Sequence, residues 1–274
     1  MARWSCRWRM IFAFWTNQKI KRIPAAMCGR RKDEKMNKEI FENYEAIIFF
    51  DTETTGFDAK KCQIIELAAI RVEHDNGLVP AARMDTFISL PAGEKLPGKI
   101  VELTGITDAL LEAEGKAEDA VLSNFLKLAE SKNGKKILLV AHNAQFDLNF
   151  LFASCKRCHI PLASARKHMD FLDTLTVFKD RRAYPHKLSD AIKAYHLEDQ
   201  VQNTHRAIDD VEALAAVFWA MQEERADLLR YVNIFGYNGR YGISGERISG
   251  IRYHSQAYAN YMRPEQAILP NLIR

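Results

Sequence analysis

The chain predicts an α/β protein, a mixed central sheet flanked by helices. Short apolar runs at about 46–51, 64–73, 83–90, 137–141 and 168–172 have strand length and are rich in β-branched and aromatic residues. Longer stretches near 117–131, 145–158, 186–196 and 206–224 repeat their apolar residues at helical spacing. Hydrophobic residues make up 47% of the 274 positions, ordinary for a globular protein and ample for a core. One domain with extensions is the natural count at this length. No internal repeat or low-complexity tract interrupts it.

The first strand, Ala46-Ile47-Ile48-Phe49-Phe50, reads as buried on both faces and leads straight into Asp51-Thr52-Glu53-Thr54-Thr55-Gly56. Side chains at i and i+2 of a strand share a face, so Asp51 and Glu53 project together. Two converging carboxylates repel each other unless a cation sits between them. Hard oxygen ligands suit Mg²⁺ or Mn²⁺. Gly56 lets the following turn bring backbone close to a ligand. The alternative for so short a pattern is an acidic surface turn.

A second buried-strand run, Ile137-Leu138-Leu139-Val140, precedes His142-Asn143-Ala144-Gln145-Phe146-Asp147. A helical pattern starts near Gln145, with Phe146, Phe150, Leu151 and Ala153 apolar. Asp147 then lies in the first turn of a helix that follows a strand. There it either joins a catalytic acid set or stabilises the helix N-terminus by its charge.

The third block, His205-Arg206-Ala207-Ile208-Asp209-Asp210, opens a long helix of about 207–224 striped by Val211, Leu214, Ala215, Phe218 and Met221. A histidine titrates near neutrality and can accept a proton from water; a lone histidine is as readily structural. Asp209 and Asp210 diverge by about 100° on a helix, so only one of them can face a site.

Together the three blocks resemble the motifs of the DEDDh 3′–5′ exonucleases, in particular the proofreading exonucleases of bacterial DNA polymerase III, both epsilon-type subunits and polymerase-fused domains. Gln63-Ile64-Ile65-Glu66-Leu67-Ala68 is similar to the family's second strand, and Leu103-Thr104-Gly105-Ile106-Thr107 to its substrate-side loop. The likeness spans about 45–223 and implies an RNase H-like fold. It implies that Asp51, Glu53 and Asp210 ligate two divalent cations, Mg²⁺ or Mn²⁺, with Asp147 completing the set directly or through water. Asp210 is preferred to Asp209 because its spacing from His205 fits the family pattern. His205 is then the general base, and nucleoside 5′-monophosphates leave from DNA 3′ ends. Thr54, Phe57, Thr104 and Asn143 are the expected contacts to the terminal nucleotide. Phe57 either stacks on a base or tucks onto the core. One departure stands out: some epsilon-type subunits carry histidine where this chain has Thr104.

Charge is unevenly spread. Residues 1–40 hold 11 Lys/Arg against 3 Asp/Glu, a net of +8, which leaves the remainder at −4 within the total of +4. A slightly acidic body fits an enzyme that contacts few nucleotides and leaves duplex grip to a partner. The apolar patch Met10–Trp15 is too short for a membrane span or a usual signal core. That arm is read either as untranslated, with initiation at Met36, or as a basic targeting or nucleic-acid-binding segment. Cys155-Lys156-Arg157-Cys158-His159 matches a c-type haem attachment pattern. Haem attachment needs export, for which there is no convincing signal, and a lone CxxC lacks the second pair of a zinc site. Free thiols in a reducing cytoplasm are therefore expected, without haem.

The expected division is a basic extension at 1–40, an exonuclease domain at 41–225 and an Arg/Tyr/Gly-rich tail at 226–274. The tail has three open roles: binding single strands or phosphates, docking on a polymerase, or wrapping the domain. Within it, Gln266-Ala267-Ile268-Leu269-Pro270 faintly resembles sliding-clamp-binding peptides. Besides a DNA exonuclease, the chain admits an RNA-directed relative similar to oligoribonuclease or RNase T. It also admits a non-catalytic polymerase-associated module, against which the crowding of four carboxylates argues. A proofreading role requires a polymerase supplied in trans.

Overall fold

The computed structural model describes residues 38–74 and 80–256; the basic arm, the start at Met36 and the clamp-like peptide lie outside the described residues. A short helix α1 at 38–43 leads into β1 (Tyr44–Thr54), β2 (Ile64–Glu73) and β3 (Pro80–Phe87), an antiparallel meander. Helices α2 (Gly98–Thr104), α3 (Asp108–Glu114) and α4 (Glu118–Leu128) cross to β4 (Lys136–Ala141), which pairs parallel with β1. Then α5 (Ala144–Arg157) and α6 (Ala163–Arg166) lead to β5 (Met169–Asp173), parallel to β4. The sheet order is β3-β2-β1-β4-β5, the mixed sheet expected. Helices α7 (Thr174–Arg181), α8 (Leu188–Ala194) and α9 (Ala207–Glu224) follow.

Alternation along β1 divides the core in two. Ile47 and Phe49 face α9, where Phe49 meets Phe218 edge-on with centroids 5.2 Å apart. Ala46, Ile48 and Phe50 face α4 and α5, packing with Phe125, Leu148 and Leu151. Burial on both sides explains the unbroken apolar runs of β1 and β4. Carried forward, the same alternation sends Asp51 and Glu53 toward α9, and Thr52 toward α5.

The structure departs from the sequence reading in several places. The third strand is Pro80–Phe87, and the stretch around Leu103–Thr107 is not a plain loop. There α2 ends on Gly105 in the left-handed region (φ 70°), and Thr107 caps α3 by accepting from Leu110 N at 3.2 Å. Only glycine adopts that conformation freely. Helix α7 carries no clear apolar stripe; Asp173 caps it by accepting from Leu175 N and Thr176 N.

The described part of the tail packs back on the domain. A 3-10 turn at Leu228–Tyr231 precedes β6 (Ile234–Asn238) and β7 (Arg252–Gln256), which pair in parallel. Tyr231 and Phe235 are buried, one in each core. Asn233 N donates to Phe171 O at 2.7 Å, fastening the start of β6 to β5. Gly236 is required here by close approach: a Cβ would stand 1.8 Å from Gln256 Oε1. That side chain is itself held, its Nε2 donating to Thr176 O and Asp180 Oδ1 at 2.9 Å. Gly236→Ala should therefore lower stability by about 1–3 kcal/mol, read as a lower urea midpoint at unchanged slope. An unchanged midpoint would show that this contact does not hold the tail.

Candidate active site

Parallel pairing of β1 with β4 stops at Phe49↔Val140, whereas antiparallel pairing with β2 continues through Asp51↔Ala68 and Glu53↔Glu66. The last turn of β1 therefore has one free edge, and the first turn of α5 fills it. Asp147 Oδ1 accepts from Thr52 N at 3.1 Å and from Thr52 Oγ1 at 2.7 Å, standing in for the missing strand partner. Asp173, at the end of β5, holds that helix start in place. Its Oδ1 accepts from Asn143 N (2.9 Å) and Ala144 N (3.1 Å), while Oδ2 accepts from Thr176 Oγ1 at 2.6 Å.

On the α9 side of β1, one ligand atom each from Glu53, His205 and Asp210 lie within 4.8 Å of one another. Asp210 is buried and points inward, whereas Asp209 turns outward to accept from Thr204 Oγ1 at 2.6 Å. His205 is exposed, in the left-handed region at φ 57°. The residue after it fixes this turn. The Arg206 guanidinium donates to the fully buried Glu66 at 2.8 and 3.0 Å and lies 4.9 Å over the Phe87 ring. Glu66 also accepts from Ala207 N at 3.1 Å, tying the first turn of α9 to β2.

Electrostatics report the crowding. Burial, then Asp147, Asp210 and Glu53, push the Asp51 carboxyl well above its usual range. Burial and the neighbouring Asp210 and Glu66 raise Glu53 to about 8. Burial raises Asp147 to about 7, opposed by the hydrogen bonds from Thr52. Burial likewise raises Asp210 to about 7, opposed by hydrogen bonds from Asn203 and Thr204. Asp210 Oδ1 is buried with no hydrogen-bond partner among the described residues. Buried acceptors ordinarily find partners. Hard oxygens with raised pKa values, one of them orphaned, and an adjacent imidazole form a donor set that fits a divalent cation.

The expected nucleotide contacts divide into exposed and engaged groups. Phe57 is 89% exposed, so it does not tuck onto the core. Asn143 is exposed at the start of α5 with φ 73°. Thr54 is buried and donates to Gly56 O at 2.7 Å. Thr104 is buried too; its hydroxyl donates to Ile100 O and accepts from Ile106 N. His142, inside the second block, is held between Thr174 Oγ1 and His186 O. Thr52, Glu66, Asp173 and Arg206 were not among the expected site residues. A charge within the second strand's apolar run was the one available hint, at Glu66.

Residues 48–218 match the family model described as Exonuclease (RNase_T), well over half of the chain. This chain belongs to the exonuclease family. The relationship is the one the three blocks resemble, that of the DEDDh-type 3′–5′ exonucleases, whose members depend on divalent metal. Among its relatives, the DNA polymerase III PolC-type of Halalkalibacterium halodurans is 35% identical over 184 residues, covering 66% of this chain and 12% of that protein. The PolC-type protein of Latilactobacillus sakei is 31% identical over 243 residues, covering 87% of this chain and 15% of that protein. The chain thus spans a small fraction of the length of these relatives. E. coli exonuclease I, solved in complex with a dT13 oligonucleotide, shares the fold with a TM-score of 0.59 at 20% identity, over 68% of this chain and 43% of that one. Among the described residues, no helix is long and apolar enough to cross a membrane. Cys62, Cys155 and Cys158 are free thiols.

The raised carboxyls set a pH dependence. Between the unfolded value near 4 and the folded values of about 7 to 8, the cation-free folded chain binds more protons than the unfolded chain. Its stability therefore falls as pH rises through that window. In EDTA the melting temperature should be lower at pH 8 than at pH 5.5, with Mn²⁺ restoring it at pH 8. A flat or rising EDTA profile would contradict the crowding.

Proposed function

We propose that this chain is a metal-dependent 3′–5′ exonuclease that releases nucleoside 5′-monophosphates from DNA 3′ ends, in cytoplasmic proofreading or repair. The observation that carries this reading is the convergence of Glu53, Asp210 and His205 within 4.8 Å. Asp51, Glu53 and Asp210 would hold two divalent cations, Mg²⁺ or Mn²⁺, and Asp147 would join them directly or through water. When bound, such ions lower the pKa of water and neutralise charge on the attacking and leaving oxygens. His205, exposed beside the acids, takes the proton of the attacking water at a ring nitrogen. The Glu66–Arg206 pair positions that histidine by fixing the start of α9. Thr52 aims the Asp147 carboxylate. Phe57 offers an open ring for base stacking and Asn143 an exposed amide, whereas Thr54 and Thr104 act by bracing the turns that carry the substrate. Residues 41–225 would form the catalytic unit, flanked by the extension at 1–40 and the tail at 226–274. The PolC-type relatives support association with a polymerase.

The test is digestion of 3′-mismatched and matched DNA duplexes, single-stranded DNA and single-stranded RNA with Mg²⁺, Mn²⁺ or EDTA. Stepwise, metal-dependent release of 5′-mononucleotides from DNA, faster at mismatched ends and abolished by Asp51→Ala, is the expected result. Preference for short RNA, or wild-type activity in a clean Asp51→Ala preparation, would overturn it. His205→Ala should lower kcat by about 10²–10⁴ with oligonucleotide affinity nearly unchanged; a defect in binding alone would remove the general-base role.

A further inference from the structure

A cleft of about 1200 Å³ runs along the outer side of α5, opposite the loop between β6 and β7. Its lining includes Phe57, four positions after Glu53 in sequence, and Phe146, in the first turn of α5 next to Asp147. Its lining then follows α5 to Lys156, about 15 Å of helix. That length accommodates about four stacked nucleotides. The far wall, residues 244–249, lies beyond the stretch matched by the family model.

This wall is built into the domain. Gln145 Nε2 donates to Ser244 O at 2.9 Å and to Glu246 O at 2.7 Å, and Glu246 N donates to Asn149 Oδ1 at 3.1 Å. Tyr253 OH donates to Gln145 Oε1 at 2.7 Å and accepts from Ile248 N at 2.9 Å. Arg166 crosses from α6 to donate to Ser249 O. Its guanidinium stacks 4.8 Å over Phe152 and 4.7 Å over Phe171. Its Nη1 is buried without a hydrogen-bond partner among the described residues. Lys156 and Arg247 line the cleft as exposed cations, in a body whose charge outside 1–40 is negative.

We propose that this cleft is a groove for single-stranded nucleic acid, holding the strand that leads up to the scissile nucleotide. The phosphates follow the exposed Lys156 and Arg247, a base meets the open ring of Phe57, and Arg166 braces the wall by its stack on Phe152. Cations that track a backbone, interleaved with aromatic faces, are the recurrent means of holding single strands without reading sequence. The assignment rests on the exonuclease reading for strand polarity, since it places the 3′ end at the acids. It gives the packed tail a task that the metal centre does not supply.

The test is fluorescence anisotropy of 5′-labelled dT3, dT8 and rU8 in EDTA, where binding is read without cleavage. Wild type should hold dT8 far more tightly than dT3. Lys156→Glu/Arg247→Glu should weaken dT8 by about tenfold or more and reduce the salt slope by about 1.4, at about 0.7 per lost single-strand phosphate contact. Should that variant melt early, Lys156→Gln/Arg247→Gln gives the same direction with a smaller loss. Wild-type affinity and salt slope in a folded variant would overturn the groove. Length-dependent binding that the variants lose, in a chain that releases no mononucleotide with Mn²⁺, would keep the groove and discard the exonuclease reading.

Discussion

Desolvation of converging carboxylates, reinforced at Asp51 and Glu53 by repulsion from their neighbours, is the constraint on which the rest of this structure depends. Asp51, Glu53, Asp147 and Asp210 meet at one end of the sheet, and burial there disfavours the charged form of each. A fold of modest net stability does not gather such groups without a compensating interaction. Divalent cations held by these acids, as proposed above, would provide it. The proposed function and this electrostatic cost thus coincide at one place.

The scaffold holds this arrangement by satisfying other polar groups around it. The β1 edge that β4 leaves open would expose an unpaired Thr52 N–H, and Asp147 accepts from it. The buried Glu66 charge is met by Arg206 and by the first turn of α9, which carries His205 and Asp210. Asp173 gathers backbone donors from the starts of both α5 and α7. A buried ion pair such as Glu66–Arg206 is weak support for stability. Its value here lies in fixing a left-handed turn at His205. Two cores on opposite faces of the sheet then clamp α5 and α9 so that both helix starts arrive at the same strand end.

Much of this was legible in the sequence because it depends on local pattern. Period-two alternation placed Asp51 and Glu53 on one face, and the strand–helix boundary placed Asp147 in a first turn. The choice of Asp210 over Asp209 needed the family spacing; in the structure Asp209 bonds Thr204 while Asp210 turns inward. What stayed hidden depends on contacts distant in sequence. Thr52 looks like an ordinary strand residue until Asp147, 95 positions away, is seen to accept from it. Asp173 follows an apolar run much as Asp51 does, yet its oxygens are occupied by helix donors. Helix α7 escaped because Thr174 and Thr176 blur its periodicity. The parallel pairing of β6 with β7 escaped because glycines interrupt the segment and its partners lie in β5 and α7. Thr104 is a substrate contact by motif, and its hydroxyl also ties the backbone at Ile100 and Ile106.

The decisive measurement is calorimetric titration of the EDTA-stripped, dialysed protein with Mn²⁺ at pH 8, near the raised value of Glu53, where protons remain for the metal to displace. Saturable binding of two ions per chain, accompanied by proton release, and loss of tight binding in Asp210→Asn are the expected results. No saturable binding, or binding unaffected by Asp210→Asn, would contradict the claim that these acids are gathered to hold metal.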